Sequence, residues 1–492
     1  MAFLAFLAFL KPPKADANPI AIPPAAPASS SDKNSHNANG SATENSRKKT
    51  CRVITSSPMK RRPYNLVRLI IVNAVYAVAS LAVWPIYLFL LATRRKYRNR
   101  VWERWGLAPR FPKGRKRFWV HAISVGEVEA ARTFVPALAE AYPGAEIVLS
   151  TTTMTGRERA AKLFPGRPLF YFPMDLGPCV LLALWRVRPT AIIQVESEWW
   201  PNFFLLAHLA GIPVAAVNVR ITEKSHRRYR IIRGLMRAVL NSTVGMGAQA
   251  EVYRERLEDL GADPDRIRVT GQMKHDGVAF ADVVPGTEDL VREMRIATGE
   301  SIIVAGSTGP GEEAVILRAY KDARRAFPRM RLVLVPRRPE NFEAAAQAVL
   351  AAEMGVIRRS RTVEWQGPKI LPPVILGDTM GELMKWYALA DLVFVGRSFV
   401  PLGGSNPMEP GSLGKPLLWG PHMFNFPVEA PAMIEACAAR EVENSADLAA
   451  AIIDLLTHSD KRRQMGAAAR DTIRRMQGAT ARNIDLVREV LG

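Results

Sequence analysis

Cysteine is scarce in this chain of 492 residues: Cys51, Cys179 and Cys437 are the only three, and no two of them form a CxxC pair. Thiols so few and so widely spaced support neither a disulfide framework nor a zinc site, and they fit a reducing compartment. Acidic residues are outnumbered too, with 46 Asp and Glu against 67 Lys and Arg, which gives a net charge of +21. This excess suggests either a nucleic-acid partner or an anionic membrane surface.

The position of the charge favours the membrane. The first hundred residues hold sixteen Lys or Arg and three acids, and so account for +13 of the +21. They surround residues 69–92, a stretch of 24 residues without a charge (LIIVNAVYAVASLAVWPIYLFLLA). A membrane-spanning helix needs about 20 apolar residues, so we predict an anchor helix here, with a buried or interfacial helix as the alternative. The basic cluster that follows places the C-terminal bulk in the cytoplasm.

The residues before the anchor resemble no folded domain. Residues 1–63 contain the repeat MAFLAFLAFL and a tract rich in Ala, Pro, Ser and Asn without periodicity. We expect this extension to be disordered, and we expect the natural product to start at Met59. Residues 64–100 are assigned to the anchor helix and its basic flank.

From residue 101 onward, short apolar runs alternate with helical periods. FWVHAI, EIVLST, AIIQVE, PVAAVN and IRVTG read as strands in one half, and SIIVAGS, LVLVP, VILGD, LVFVG and PLLWG in the other. This alternation predicts an α/β protein with two Rossmann-like domains, residues 101–285 and 286–492, facing a central crevice in which ligands bind.

Two groups of carboxylates follow predicted strands in the first half. Glu127, in SVGE, is expected at a helix N-terminus, where the dipole favours the ionised form that a general base needs; an ordinary first-turn Glu is the alternative. Glu198, in ESEWWPN, lies at a strand end with Glu196 and is the second candidate. The tryptophans Trp199 and Trp200 fit packing at least as well as a sugar platform.

In the second half, Arg337 and Arg338 end a strand and suit a phosphate or carboxylate, with an exposed ion pair as the alternative. The turn GSTGPGE can present backbone N–H groups to an anion. The stretch GGSNPMEP has a glycine pair that lets the backbone approach a ligand. It also has Glu409, bracketed by prolines, which is suited to accept both hydroxyls of a ribose.

Taken in order, these motifs resemble those of the 3-deoxy-D-manno-octulosonic acid (Kdo) transferases of lipopolysaccharide synthesis, the lipid A Kdo transferase family. The resemblance covers about residue 66 to the C-terminus. Its motifs are WVHAISVGE, TTTMTG, FPMDL, ESEWWPN, VNVRITEKS, VTGQMKHD, PRRPENF, GDTMGEL, DLVFVGRS and GGSNPMEPGSLGKPLLWGPHMFNF.

The resemblance implies an inverting glycosyltransferase of GT-B fold that has no bound metal and no cofactor. CMP-Kdo would be the donor substrate and a lipid A precursor the acceptor, at the cytoplasmic face of the inner membrane. Glu127 matches the catalytic base, and Lys274 matches an active-site lysine. The family's three CMP-binding stretches fall on Pro336 and Arg337; on Met380, Gly381 and Glu382; and on Asn406, Pro407, Met408 and Glu409.

Some positions depart from the usual family pattern, namely Gln272, Arg338, Asn341, Arg397 and Ser405. They put the details of donor-carboxylate binding in doubt. On the acceptor side, segment 220–230 (RITEKSHRRYR) holds five Lys or Arg and one acid. We predict that it binds acceptor phosphates and the membrane surface, with a solvated basic helix as the alternative.

Two other functions remain as alternatives. One is another GT-B enzyme, a UDP-sugar transferase or epimerase, against which the SVGE and GGxNPxEP motifs argue. The other is a basic nucleic-acid-binding protein. The globular part shows no basic stripe with interleaved aromatic residues, so we expect no nucleic-acid partner.

Overall fold

The structure, a computed structural model, describes residues 67–76, 78, 85, 89, 92–93, 100–361 and 373–492. The predicted extension 1–63 lies outside these residues, as does most of the predicted anchor segment. The longest described stretch of that segment, residues 67–76, is helical and is called the leading helix below. Among the described residues, no helix combines the length and the apolar character that crossing a membrane requires.

The first half of the chain forms a seven-stranded parallel sheet with the strand order β3-β2-β1-β4-β5-β6-β7. Helices cover both of its faces, as parallel sheets require. The strands are β1 (Arg117–His121), β2 (Glu146–Thr151), β3 (Leu169–Tyr171), β4 (Ala191–Val195), β5 (Val214–Val219), β6 (Gly245–Ala248) and β7 (Ile267–Val269). The helices are α1 (Val101–Arg104), α2 (Val125–Ala141), α3 (Met154–Leu163), α4 (Gly177–Val187), α5 (Pro201–Leu209), α6 (Glu223–Ile231), α7 (Arg233–Leu240) and α8 (Glu251–Asp259).

The second half forms another seven-stranded parallel sheet, with the order β10-β11-β9-β8-β12-β13-β14. Its strands are β8 (Ser301–Thr308), β9 (Met330–Pro336), β10 (Val356–Arg358), β11 (Val374–Leu376), β12 (Leu392–Val395), β13 (Leu417–Trp419) and β14 (Ala439–Glu441). The helices are α9 (Thr287–Glu293), α10 (Glu312–Ala323), α11 (Phe342–Ala351), α12 (Leu383–Leu389), α13 (Met408–Ser412), α14 (Glu429–Glu435), α15 (Ser445–Thr457), α16 (Ser459–Met476) and α17 (Ala479–Leu491). Short 3₁₀ turns cover Pro264–Arg266, Met273–Gly277 and Pro339–Asn341.

Each sheet buries an apolar cluster on both faces. In β1, Trp119 packs into one cluster while Phe118 and Val120 pack into the other, because successive side chains of a strand point to opposite faces. The second sheet is built in the same way, with Leu334 on one face and Val333 on the other. The prediction of two parallel α/β sheets is therefore confirmed.

The last helix does not stay with the second sheet. Ala479, Ile484 and Val487 of α17 belong to an apolar cluster of the first sheet. The carboxylate of Asp276 accepts hydrogen bonds from the backbone N–H groups of Gly478 (2.7 Å), Ala479 (3.3 Å) and Thr480 at the start of this helix. The chain thus crosses between the sheets twice, and the domain limits given above stay predictions.

We expect Asp276→Ala to destabilise the protein, because it leaves the first backbone donors of α17 without their acceptor. Loss of such a cap typically costs about 0.5–2 kcal/mol, so the melting temperature should fall by a few degrees. Asp485→Ala, on the exposed side of the same helix, is the control and should leave the melting temperature unchanged. Equal melting temperatures for both variants would contradict the capping role.

Candidate active site

The predicted catalytic carboxylates lie at one edge of the first sheet. β1 and β4 are parallel neighbours, so their carboxyl ends lie side by side. Glu127 lies in the first turn of α2, shortly after β1, whereas Glu196 and Glu198 directly follow β4. This is the edge at which open α/β sheets bind their ligands.

The carboxylate of Glu127 is held by its own helix terminus. Its Oε2 accepts a hydrogen bond from the backbone N–H of Ser124 at 2.9 Å, and the Ser124 side chain accepts one from the backbone N–H of Glu127, so the two residues form a capping box. The Ser124 hydroxyl also donates to Oε2. No hydrogen bond from a described residue reaches Oε1. Glu127 therefore caps its helix, as the alternative interpretation of the sequence proposed. Its Oε1 is still free to accept a proton.

Lys274 brings a positive charge to this edge. Its Nζ lies 3.3 Å from Oε1 of Glu196, which also receives a bond from Asn218 Nδ2 at 3.4 Å. A Cβ placed on Gly126 would lie 3.9 Å from the same Nζ, so the ammonium group also adjoins the first turn of α2. Burial raises the pKa of Glu196, the charge of Lys274 lowers it, and the charge of Glu127 raises it, with a net increase.

Glu198 lies in the same cluster without a cationic partner among the described residues. Burial, and then the negative charges of Glu127 and Glu196, raise its pKa to about 7. The ring of Tyr229, on α6, adjoins it: burial and the charge of Glu198 raise the pKa of Tyr229 to about 12. The structure thus groups Glu127, Glu198 and Lys274, together with Glu196 and Tyr229.

The residues around Lys274 fix its position from both sheets. The backbone N–H of Met273 donates to Asn218 Oδ1 at 2.9 Å, which joins this turn to the end of β5. His275 Nε2 lies 2.7 Å from Oε1 of Glu429, at the start of α14 in the second half, and both side chains are buried.

The glycine-rich turn after β8 binds a carboxylate of the chain itself, that of Glu312. The buried carboxylate of Glu312 accepts from the backbone N–H groups of Gly309 (2.7 Å), Ser398 (2.7 Å), Phe399 (2.8 Å) and Arg397. Burial raises the pKa of Glu312, and these four bonds oppose the increase. The expectation that this turn presents its N–H groups to a bound anion was therefore wrong for Gly309.

Arg337 and Glu409 lie close together beyond the ends of β9 and β12. The charge of Arg337 lowers the pKa of Glu409, and so does a hydrogen bond from Asn406 Nδ2 at 3.1 Å, whereas burial raises it more strongly. Burial, and then the charge of Glu409, raise the pKa of the Tyr387 phenol. Arg337 and Arg338 are both exposed, and neither is paired with a carboxylate among the described residues, so the structure gives no support to the ion-pair alternative.

The glycine pair before Asn406 is required by the chain's own packing. Gly403 and Gly404 have φ angles of 83° and 78°, which favour glycine. A Cβ on Gly403 would lie 2.3 Å from Asn425 Nδ2, and one on Gly404 would lie 2.3 Å from the sulfur of Met423. The group that approaches this backbone is thus segment 423–425.

The second predicted nucleotide-binding stretch follows β11. Met380 is exposed and Gly381 has a φ of 89°. The Glu382 carboxylate accepts two hydrogen bonds from Arg359, at 3.0 and 3.2 Å, and one each from Thr379 and Lys385. Partial burial raises its pKa, but these bonds lower it further, so the carboxylate is ionised and already paired.

The tryptophans of ESEWWPN are packing residues to different degrees. Trp199 is buried, with its ring 5.4 Å from that of Phe204. Trp200 is half-buried, 6.2 Å from the ring of Phe172.

Among the described residues, no cluster of three or more His, Cys, Asp or Glu side chains is arranged to hold a metal ion.

Four residues near the two halves of the site were not singled out from the sequence, namely Asn218, Tyr229, Glu312 and Tyr387. Asn218 carried a usable signal, since an Asn at a strand end tolerates a positive φ, here 57°. The other three act through contacts with residues distant in the sequence, which local patterns do not record.

The raised pKa of Glu198 predicts a pH-dependent stability effect. Its ordinary value of 4.5 applies in the unfolded chain and about 7 in the folded one. The unfolded state therefore loses this proton first as the pH rises, and the folded state is progressively destabilised between these two values. Glu198→Gln should melt higher than the unmodified protein at about pH 8 and should lose that advantage near pH 4.5. Glu223→Gln, an exposed carboxylate on α6, should show no such trend, and a Glu198→Gln difference independent of pH would contradict the shift.

Comparison with known proteins gives this geometry a context. The family described as 3-deoxy-D-manno-octulosonic-acid transferase (kdotransferase) matches residues 99–277. A curated 3-deoxy-D-manno-octulosonic acid transferase of Haemophilus influenzae is 33% identical over 403 residues, covering 80% of this chain and 92% of that protein. Its counterpart in Bordetella pertussis is 33% identical over 443 residues, covering 85% of this chain and 100% of that protein.

A solved structure supports the fold independently. The UDP-GlcNAc 2-epimerase of Neisseria meningitidis aligns with a TM-score of 0.52 over 75% of this chain and 99% of its own, at 11% sequence identity. Identity that low speaks for the GT-B-like architecture alone. Sequence identity near one third over nearly the whole length of two curated proteins speaks for more. The chain belongs to the 3-deoxy-D-manno-octulosonic acid transferase family, and it is a glycosyltransferase that transfers Kdo.

Proposed function

We propose that this enzyme transfers Kdo from CMP-Kdo to a lipid A precursor at the cytoplasmic face of the inner membrane. Family membership supports the transferred sugar. The observation that carries the geometry is Glu127, a helix-capping carboxylate with one free oxygen, which lies at the ligand-binding edge beside Lys274. The proposed reaction needs a base of this kind on the acceptor side and cations near the leaving group.

The reaction is a single displacement with inversion. An acceptor hydroxyl attacks the anomeric carbon of Kdo, the bond from that carbon to the CMP phosphate oxygen breaks, and the hydroxyl proton passes to Oε1 of Glu127. The two bonds from Ser124 hold Oε2 of Glu127 at the N-terminus of α2 and leave Oε1 to take the proton. Glu198 is half-buried, its pKa is raised to about 7, and it belongs to the same carboxylate cluster as this base.

The departing CMP carries a new negative charge. Arg337 is suited to receive it, because its guanidinium is exposed and is paired with no described carboxylate. Lys274 adds a second positive charge on the other side of the crevice. These fixed cations supply electrostatic stabilisation in the transition state, and in our proposal the enzyme uses no metal ion and no cofactor.

The nucleoside is held in the second half of the chain. Glu409 accepts the ribose hydroxyls, and Asn406 orients it through its 3.1 Å hydrogen bond. Pro336, Pro407 and Met408 shape the backbone around it. Since the Glu382 carboxylate is already paired with Arg359, the stretch from Met380 to Glu382 contributes backbone groups instead.

The acceptor phosphates meet α6. No residue of this helix is buried, and Arg227 and Arg228 are exposed on it. Tyr229, which follows those arginines on the same helix, lies near enough to Glu198 for that charge to raise its pKa, after the larger effect of burial. A basic surface next to the carboxylate cluster fits a diphosphorylated lipid in an anionic leaflet, where each basic residue contributes about 1 kcal/mol.

The assignment of the base is tested by Glu127→Gln. This change removes the proton acceptor and keeps the capping geometry, so kcat should fall by about 10²–10⁴ while CMP binding stays near normal. Glu409→Ala is the matched comparison, because it should weaken CMP binding directly in a calorimetric titration. Retention of more than about a tenth of the activity by Glu127→Gln would move the base elsewhere, with Glu198 the first residue to test.

The acceptor surface is tested by replacing Arg227 and Arg228 together with Ala. The apparent KM for the lipid acceptor should rise several-fold, because two charges are lost, and the KM for CMP-Kdo should not change. Arg325→Ala and Arg463→Ala, at exposed positions of the second half, are the controls. An unaltered acceptor KM in low-salt detergent micelles, where charges are least screened, would leave α6 a solvated basic helix.

A further inference from the structure

The leading helix turns one face to the protein and the other outward. Leu69 and Val72 are buried, whereas Val67, Ile70 and Ile71 are more than half exposed. Asn73 and Tyr76 continue the inward face, at the helical spacing of three and four residues. Asn73 and Tyr76 thus face the first half of the chain.

Asn73 is bonded through every polar atom of its amide. Its Nδ2 donates to Leu69 O at 2.8 Å and to Asn202 Oδ1 at 2.9 Å, and its Oδ1 accepts from Asn202 Nδ2 at 3.3 Å and from the backbone N–H of Gly177 at 3.2 Å. A Cβ on residue 177 would lie 2.9 Å from that oxygen, so glycine leaves the space that Asn73 occupies. Asn202 is fully buried, so this contact is a specific one.

Tyr76 reaches the same place by a second route. Its hydroxyl donates to Asp175 Oδ2 at 3.0 Å. The buried Asp175 accepts from the backbone N–H groups of Asn202 at 3.1 Å and Phe203 at 2.8 Å, the first donors of α5. The hydrogen bonds of Asn73 and Tyr76 therefore both lead to the N-terminus of α5.

The N-terminus of α5 is where the loop with the site carboxylates ends. Residues 196–200 (ESEWW) lead directly into Pro201, and Trp199 is buried behind them. We infer that Asn73 and Tyr76 are positioning residues, which hold the loop of Glu196 and Glu198 in place through Asn202 and Asp175. The leading helix then has a role in turnover that is separate from attachment to the membrane, and this role rests on the proposed function.

Full-length Asn73→Leu and Tyr76→Phe are the test variants. Asn73→Leu raises the apolar character of the helix and so keeps membrane attachment, while Tyr76→Phe removes a single hydroxyl. We expect kcat to fall by about five- to tenfold in Asn73→Leu, and by less in Tyr76→Phe, with the KM for CMP-Kdo unchanged, because misplaced groups lose rate rather than donor binding. Hydrogen exchange of the peptide covering residues 196–204 should become faster in both.

Each control makes a similar chemical change at a position that does not make the proposed contact. Ala74→Leu adds the same side chain at an exposed position one residue along, and Tyr142→Phe removes a buried hydroxyl that has no partner among the described residues. Neither should alter kcat or exchange. Gly177→Ala disturbs Asn73 from the opposite side and should reproduce the Asn73→Leu result.

Unchanged exchange of residues 196–204 in both test variants, or faster exchange with unchanged kcat, would overturn the inference. Failure of the proposed function looks different. The unmodified enzyme would then transfer nothing from CMP-Kdo, whereas the exchange comparison would still decide whether Asn73 and Tyr76 hold the loop.

Discussion

The acceptor side of the site depends on the ion pair between the ammonium group of Lys274 and the carboxylate of Glu196. The Nζ of Lys274 lies 3.3 Å from Oε1 of Glu196, at an edge where burial and the charge of Glu127 raise the pKa of both Glu196 and Glu198. The charge of Lys274 and its hydrogen bond lower the pKa of Glu196 and so oppose this increase, which like charges in a partly buried site produce. Lys274 is therefore the cation that offsets the negative charge of the carboxylate cluster to which Glu127 belongs.

The position of Lys274 depends on both sheets. Its neighbour Met273 is bonded to Asn218 of the first sheet, and His275 is paired with Glu429 from the second half. Asp276 caps the last helix, which packs back against the first sheet. Four consecutive residues thus connect the catalytic edge with the packing between the two halves. The nucleotide side is bound to its own sheet by Glu312, so each half of the site is built before the substrates arrive.

The sequence predicted the architecture well because its long strands are buried on both faces. Runs such as EIVLST and LVFV have no other plausible place in an α/β fold. Four strands were not predicted, namely β3, β6, β10 and β14. Their short length is not the reason, since β7, β11 and β13 are also three residues long and were predicted. Two of the four, β6 (GMGA) and β14 (ARE), lack the branched side chains typical of strands.

The candidate site, too, was predicted from the sequence only in part. The family motifs located Glu127, Lys274 and Glu409, whose proposed roles remain to be tested. They did not show that Glu382 is paired with Arg359, or that Glu312 occupies the glycine-rich turn, because these bonds join loops up to 87 residues apart. A glycine-rich turn and a paired carboxylate look the same in a sequence whether the partner is a ligand or the chain itself.

The most direct test is the mass of the lipid product. Purified full-length enzyme is incubated with a tetra-acylated lipid A precursor and either CMP-Kdo or a UDP-sugar, and the lipid is analysed by mass spectrometry. We expect a lipid heavier by one or more Kdo residues with CMP-Kdo, and an unchanged lipid with the UDP-sugar. An unchanged lipid with CMP-Kdo, or equal transfer from the UDP-sugar, would contradict the proposed transfer of Kdo from CMP-Kdo.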